Sequence, residues 1–123
     1  EEETDIWIRQ MQEYEFLEYR TKISVVIPVH NAKKYIRQCL DSILEKQDIS
    51  LEVICVDDCS TDETPKILRE YETKYPNFKY LRNETNLFAG ASRNRGLLEA
   101  TGQYVHFLDA DDYVIEGAYK KLL

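Results

Sequence analysis

The chain has 123 residues, which makes it one domain or a piece of one, long enough to bury roughly two thirds of its unfolded surface. Its formal charge of −7 argues against a general polyanion-binding surface, so no nucleic-acid partner is expected, although a local basic pocket stays open. Cys39, Cys55 and Cys59 lack the paired C-x-x-C units of a zinc ribbon, and no signal peptide or run of about 18 apolar residues is present; a soluble segment of a reducing compartment, without direct membrane contact, is predicted.

Residues 5–20 carry Trp7, Met11, Tyr14 and Leu17 at helical spacing, with Glu and Arg between them. The pattern predicts an amphipathic helix. Its polar face is acidic where a membrane-surface helix is rich in Lys and Arg, so it is expected to pack onto protein. It sets off residues 1–21 as a leading helical segment from a main unit over 22–123.

Ile23 to Val29 is the first predicted strand, with Pro28 suited to its end because proline offers no donor to the ladder. Asn31 can cap a helix whose apolar stripe is Tyr35, Ile36, Cys39, Leu40, Ile43 and Leu44. The second strand, Leu51 to Val56, is closed by Asp57 and Asp58. Ser60-Thr61-Asp62-Glu63 then has capping-box spacing and Pro65 falls in a first turn, which predicts a helix through Ile67, Leu68 and Tyr71.

Phe78 to Leu81 reads as a short, partly polar strand near a sheet edge, followed by a turn at Arg82 to Asn86. A Gly- and Ala-rich helix, about Ala89 to Ala100, is stopped by Thr101-Gly102. Last comes Tyr104 to Leu108, apolar enough to predict a strand buried on both faces, running into Asp109-Ala110-Asp111-Asp112. The chain ends in Lys120-Lys121-Leu122-Leu123, midway through a predicted helix, and an excised fragment is expected. Four strands alternating with helices predict an α/β fold: a Rossmann-like parallel sheet.

In such a sheet the strand ends at Pro28-Val29-His30-Asn31, Asp57-Asp58 and Asp109 to Asp112 share one edge, where ligands bind. Three acids in four positions need compensation, and hard cations such as Mg²⁺ or Mn²⁺ accept carboxylate oxygens while leaving room for phosphate. The competing reading is a turn, with Asp112 capping a short helix. Asp58 suits a base N–H or a ribose hydroxyl, and Asp109 and Asp111 suit a cation that offsets a diphosphate. For Asp57 and Asp58, turn and cap roles stand beside ligand contact. One of Arg93 and Arg95 is a candidate to face the acids or the diphosphate; the alternative is an exposed helix arginine. His30 is placed to touch base or sugar, and His106 reads as a core histidine. The cysteines read as core packing or free thiols.

Taken in order, Ser24 to Asn31, Val56 to Asp62, Asn86 to Gly96 and Phe107 to Asp112 resemble the nucleotide-binding half of glycosyltransferase family 2. The resemblance runs from about Lys22 to the last residue. It implies a truncated GT-A fold whose acceptor half is absent, with a nucleotide-diphosphate sugar as donor. By similarity, the backbone around Pro28 and Val29 and the carboxylate of Asp58 would hold base and ribose, and Asp109 and Asp111, as the family's D-x-D, would hold Mg²⁺ or Mn²⁺, with Asp109 nearer the ribose or sharing the ion. Arg93 and Asn94 match the family's Ala-Arg-Asn-x-Gly segment, more often packing and loop support, and His30 and Arg93 complete the nucleotide-binding candidates from their own positions. The implied activity of the parent enzyme is metal-assisted, inverting sugar transfer to a glycan, lipid-linked or polyol acceptor, in polysaccharide biosynthesis. The implied location is cytoplasmic, with the parent at the cytoplasmic face of the membrane. No catalytic residue is assigned, because the family's general base lies downstream of the D-x-D, and the fragment alone is expected to be inactive. The chain departs from the family's habit at His30 (often Tyr), Phe88 (commonly Gly) and Ser92 (usually Ala), all near the implied donor pocket.

Other classes fit less well. No G-x-G-x-x-G follows the first strand and no G-x-x-x-x-G-K-[ST] occurs, which disfavours dinucleotide oxidoreductases and P-loop nucleotidases. A nucleotidyltransferase would open with a glycine-rich basic loop, a haloacid-dehalogenase-like phosphatase would carry D-x-D on its first strand, and a receiver domain would carry its acidic pair there. A binding module that kept the fold and lost turnover is the remaining alternative.

Overall fold

The structure, a computed structural model, describes residues 21–123; the predicted leading helix lies outside the described residues. Four parallel strands, β1 (Ile23–Val29), β2 (Leu51–Asp58), β3 (Phe78–Asn83) and β4 (Tyr104–Phe107), form one sheet in the order β3-β2-β1-β4. Between and after them run α1 (Ile36–Leu44), α2 (Thr64–Lys74), α3 (Phe88–Glu99) and α4 (Ala118–Leu122). The predicted βα alternation and parallel sheet are what the chain adopts.

Both faces of β1 and β2 are covered, which is why these strands read as unbroken apolar runs. On one face Val25, Ile27, Val53 and Cys55 pack with Ile36, Cys39, Leu40 and Ile43 of α1 and Ile67, Leu68 and Tyr71 of α2. On the other, Val26, Ile54 and Val56 form a smaller cluster under α3. Gly96 sets the spacing there: a Cβ added to it would lie 2.4 Å from Val26 Cγ1 and 3.2 Å from Val56 Cγ2. The helix rides on the sheet at a distance only glycine permits.

Several local expectations change in the folded chain. Tyr104 to Leu108 is not buried on both faces: β4 is an edge strand that pairs only with β1 among the described residues, and Tyr104, Val105 and Phe107 are exposed, with Leu108 alone entering the core. β2 runs on through Asp57 and Asp58, and Arg82 and Asn83 belong to β3 rather than to a turn. Among the described residues β3 is an edge strand, as its composition suggests. The capping box does not form, since α2 has no side-chain cap at Glu63; Asp62 Oδ1 instead accepts the Thr64 N–H at 2.8 Å. Asn31 does not cap α1, and Asp112 does not cap α4, which starts after Gly117 at φ 71°. Gly102 matters for closeness, its absent Cβ falling 2.6 Å from the Ser24 nitrogen. Among the described residues, no helix is long and apolar enough to cross a membrane.

Candidate functional site

β1 lies between β2 on one side and β4 on the other, so chain direction from β1 diverges at its carboxyl end. A crevice opens at such a switch point. Here a cleft of about 430 Å³ is lined by Pro28, Val29, His30 and Asn31 after β1, by Asp58 from β2, by Ala89 and Ser92 of α3, and by Asp109 and Asp111 after β4. Six of the seven residues assigned from the sequence to nucleotide or cation thus meet at one opening. The seventh, Arg93, reaches it indirectly through an ion pair with Asp109, Nη2 to Oδ1 3.5 Å. A larger hollow of about 660 Å³ lies at the opposite edge of the sheet, but its one acid, Glu52, is spent on Ser24 and Thr101.

Asp57 and Asp58 face different ways, as consecutive strand residues must. Asp57 is fully buried and accepts the Ser60 N–H (3.1 Å), the Tyr80 hydroxyl (3.0 Å) and Arg82 Nη1 (2.7 Å). It fixes the turn after β2. Asp58 accepts from Asn83 Nδ2 (3.0 Å) and the Leu87 N–H (2.7 Å) on Oδ1 and from the Phe88 N–H (2.8 Å) on Oδ2. Burial disfavours its charge, but those hydrogen bonds, joined by the attraction of His30, hold the carboxyl below the ordinary carboxylate value. Oδ2, with one donor against two on Oδ1, keeps acceptor capacity.

The β1 loop is tied to the β2 loop. His30 Nδ1 donates to the Asp58 carbonyl at 2.7 Å, and Asn31, at φ 47°, accepts the Thr61 and Asp62 N–H groups on Oδ1 at 2.8 and 3.2 Å. Asn31 therefore caps the neighbouring loop instead of its own helix. The left-handed backbone there is one that asparagine tolerates.

Beyond β4, carboxylate oxygens of Asp109, Asp111 and Asp112 all lie within 4.8 Å of one another and are exposed. The Asp112 N–H closes a turn on the Asp109 carbonyl at 3.0 Å, which folds the acids together. Oxygen-only donors in a cluster open to solvent suit Mg²⁺ or Mn²⁺. The cluster brings together Asp109 and Asp111, the two acids predicted as cation ligands, with Asp112. Cys39 lies beneath the loop, its thiol directed at the Asp109 carbonyl (3.8 Å); burial, reinforced by the charges of Asp112, Asp111 and Asp109, pushes that thiol up to about 12. It stays protonated and is a packing residue. Cys55 is buried as well, and Cys59 is partly exposed with a free thiol.

Of the two arginines considered for the acids, Arg93 is the one that reaches them. Arg95 donates to the Arg82 carbonyl (2.5 Å) and Asn83 Oδ1 (2.8 Å). His106 packs edge-on against Tyr119, its Nδ1 2.7 Å from the hydroxyl, and burial lowers its pKa. Reading the sequence missed Asn83, which bonds Asp58 and Ser92 from a 2% exposed position, and Tyr35, which lines the cleft. Asn83 pairs in register with Asp58; extending the third strand by two residues would have revealed it.

The profile of “Glycosyl transferase family 2” matches residues 24–123. The uncharacterized glycosyltransferase YibD of Escherichia coli (strain K12) is 40% identical over 102 residues, covering 83% of this chain and 29% of that protein. A crystal structure of Staphylococcus aureus TarS residues 1–349 in complex with UDP superposes with a TM-score of 0.76 at 42% identity, covering 83% of this chain and 31% of that one. The mannosyltransferase PcManGT from Pyrobaculum calidifontis, in complex with GDP-Man and Mn²⁺, gives 0.70 at 31% identity, covering 79% and 29%. The chain spans less than a third of the length of these relatives. Its parallel sheet is of the Rossmann-like GT-A type.

Proposed function

The chain belongs to glycosyl transferase family 2, and we propose that it is the nucleotide-sugar-binding half of an enzyme that transfers a sugar from a nucleotide-diphosphate donor to an acceptor hydroxyl, with inversion. The observation that carries this reading is the meeting of Asp58 with Asp109 and Asp111 at one cleft beyond the strand ends. Pro28, Val29, His30 and Asp58 are assigned to base and ribose, with Asp58 Oδ2 the acceptor. Asp109 and Asp111, joined by Asp112, would hold Mg²⁺ or Mn²⁺, which when bound offsets the charge of the departing diphosphate. Arg93 stands beside Asp109 as a second positive group for that charge. The likeness to structures named for UDP and for GDP-Man with Mn²⁺ supports both donor class and cation.

Each acid of the cleft has donor or cation work in this scheme. The general base and the acceptor site are therefore assigned outside residues 22–123, and this segment alone is proposed to be inactive. A relative named poly(ribitol-phosphate) beta-N-acetylglucosaminyltransferase is 45% identical over 103 residues; a polyol or glycan acceptor, in polysaccharide assembly at the cytoplasmic face of the membrane, is the matching proposal here.

Calorimetry with UDP and with GDP, each with and without Mn²⁺, tests the site. Cation-dependent binding of one nucleotide, lost in Asp111→Ala, is expected. Equal binding with and without metal for both nucleotides would overturn the assignment.

A further inference from the structure

Asn83, the last residue of β3, is 2% exposed, and both ends of its side-chain amide are engaged. Nδ2 donates to Asp58 Oδ1 and to Ser92 Oγ, both at 3.0 Å, and Oδ1 accepts from Arg95 Nη1 at 2.8 Å. These partners leave the amide one orientation. A carboxylate only accepts and a guanidinium only donates, so the oxygen must face Arg95 and the nitrogen must face Asp58. Arg95 itself is exposed on α3, does not line the cleft, and is anchored by a second bond, to the Arg82 carbonyl at 2.5 Å.

We propose that Arg95 is a positioning residue for the donor, acting on Asp58 through the buried amide of Asn83. The inference rests on the donor-site reading above and extends it to a residue that reading does not use. Asn83 and the Leu87 N–H both donate to Asp58 Oδ1, which leaves Oδ2, bonded to the Phe88 N–H alone, as the oxygen assigned to base or ribose. That division holds only while Nδ2 stays on Oδ1. Without Arg95 the Asn83 oxygen is a buried acceptor that has lost its donor, and such a group turns toward any donor or water within reach. The turn draws Nδ2 off Asp58, and a carboxylate held by two backbone amides alone no longer presents one fixed oxygen. Binding must then order the contact itself, which lowers affinity.

The test uses the chain with Mn²⁺ and two probes, UDP and inorganic pyrophosphate, read by calorimetry. Arg95→Met keeps a good helix former at an exposed position and is expected to fold, while UDP affinity falls about three- to tenfold, the net worth of one hydrogen bond. Pyrophosphate, which has neither base nor ribose, binds as it does to wild type. In Asn83→Ala the relay is already cut, so adding Arg95→Met costs UDP nothing more. The Arg82 carbonyl remains available to Arg95 in that background, so a role exerted through β3 alone would still show there. Asn83→Ser serves for the same cycle if the alanine variant does not fold. The inference is overturned by UDP affinity in Arg95→Met equal to wild type, by parallel loss of UDP and pyrophosphate, or by losses that add in the double variant. Asp111→Ala separates the two claims. Cation-dependent UDP binding that this variant abolishes, with Arg95→Met unaffected, leaves the donor site standing and removes the positioning role. If the wild type binds neither probe, both fall.

Discussion

Arg93 reaches from α3 to Asp109 on the loop after β4, guanidinium to carboxylate 3.5 Å, across the mouth of the acidic cluster. Both side chains are well exposed, so the pair is weak, about 0.5 kcal/mol by the usual worth of such contacts. It nevertheless places a fixed positive charge beside the carboxylates proposed to take a divalent ion. Arg93→Met is expected to raise affinity for Mn²⁺ alone by about two- to fivefold, since the ion no longer meets that charge. Titration of free Mn²⁺ by electron paramagnetic resonance reads the change, and no change means the pair does not oppose the ion.

Asp58 gives the fold an acid dependence whose sign follows from its depressed carboxyl. The folded state binds this proton less readily than the unfolded chain. The stability contributed is complete above the unfolded value of about 3.9 and drains away as pH falls through the lower folded value. Asp58→Asn, which cannot titrate and leaves the Phe88 N–H unmatched, is expected to cost about 2–3 kcal/mol at pH 7 and to flatten the decline in stability below about pH 5. Urea unfolding across that range measures both.

The buried carboxylate of Asp57 depends on Arg82, whose own side chain is 33% exposed. Arg82→Met leaves Asp57 with the Tyr80 hydroxyl and the Ser60 N–H but no cation. A loss of about 2 kcal/mol is expected, smaller than for a fully buried pair because solvent screens the arginine. Tyr80→Phe removes one neutral donor and should cost about 1 kcal/mol. Equal losses from the two variants would show that the charge of Arg82 carries nothing.

Gly96 predicts a steric result. Its added Cβ meets Val26 Cγ1 at 2.4 Å, and Val26 is fully buried. Gly96→Ala is expected to destabilise by about 2 kcal/mol through overpacking. Adding Val26→Ala opens room on the sheet side, so the double variant should lose less than the sum of the two single losses. Thermal unfolding of the three variants decides it.

The fold was legible because its signals are short-range. Apolar runs at Ile23 to Val29 and Leu51 to Val56, helical stripes at Ile36 to Leu44 and Ile67 to Tyr71, and acids at strand ends mark the elements and the edge that carries the cleft. The misreadings share one cause. Tyr104 to Phe107 is apolar enough for an interior strand, but apolarity records what a residue tolerates and not which neighbours arrive. Asn31 has the chemistry of a helix cap and uses it on the Thr61 and Asp62 amides, about thirty residues away along the chain.

The order of residue types determined, without coordinates, that strands and helices alternate, that Asp58, Asp109 and Asp111 stand at strand ends, and that the four motifs run in the family's sequence. Period and polarity are properties of neighbours along the chain, so they survive without a model of the whole. The tertiary structure alone decided that Asp57 turns inward to Arg82 while Asp58 faces the cleft, that Asn83 and the Leu87 and Phe88 amides hold Asp58, and that Arg93 rather than Arg95 reaches the acids. These partners are brought together by strand register and by the close seating of α3 at Gly96, and a hydrogen bond or ion pair is decided by such distances between atoms, which residue spacing along the chain does not contain.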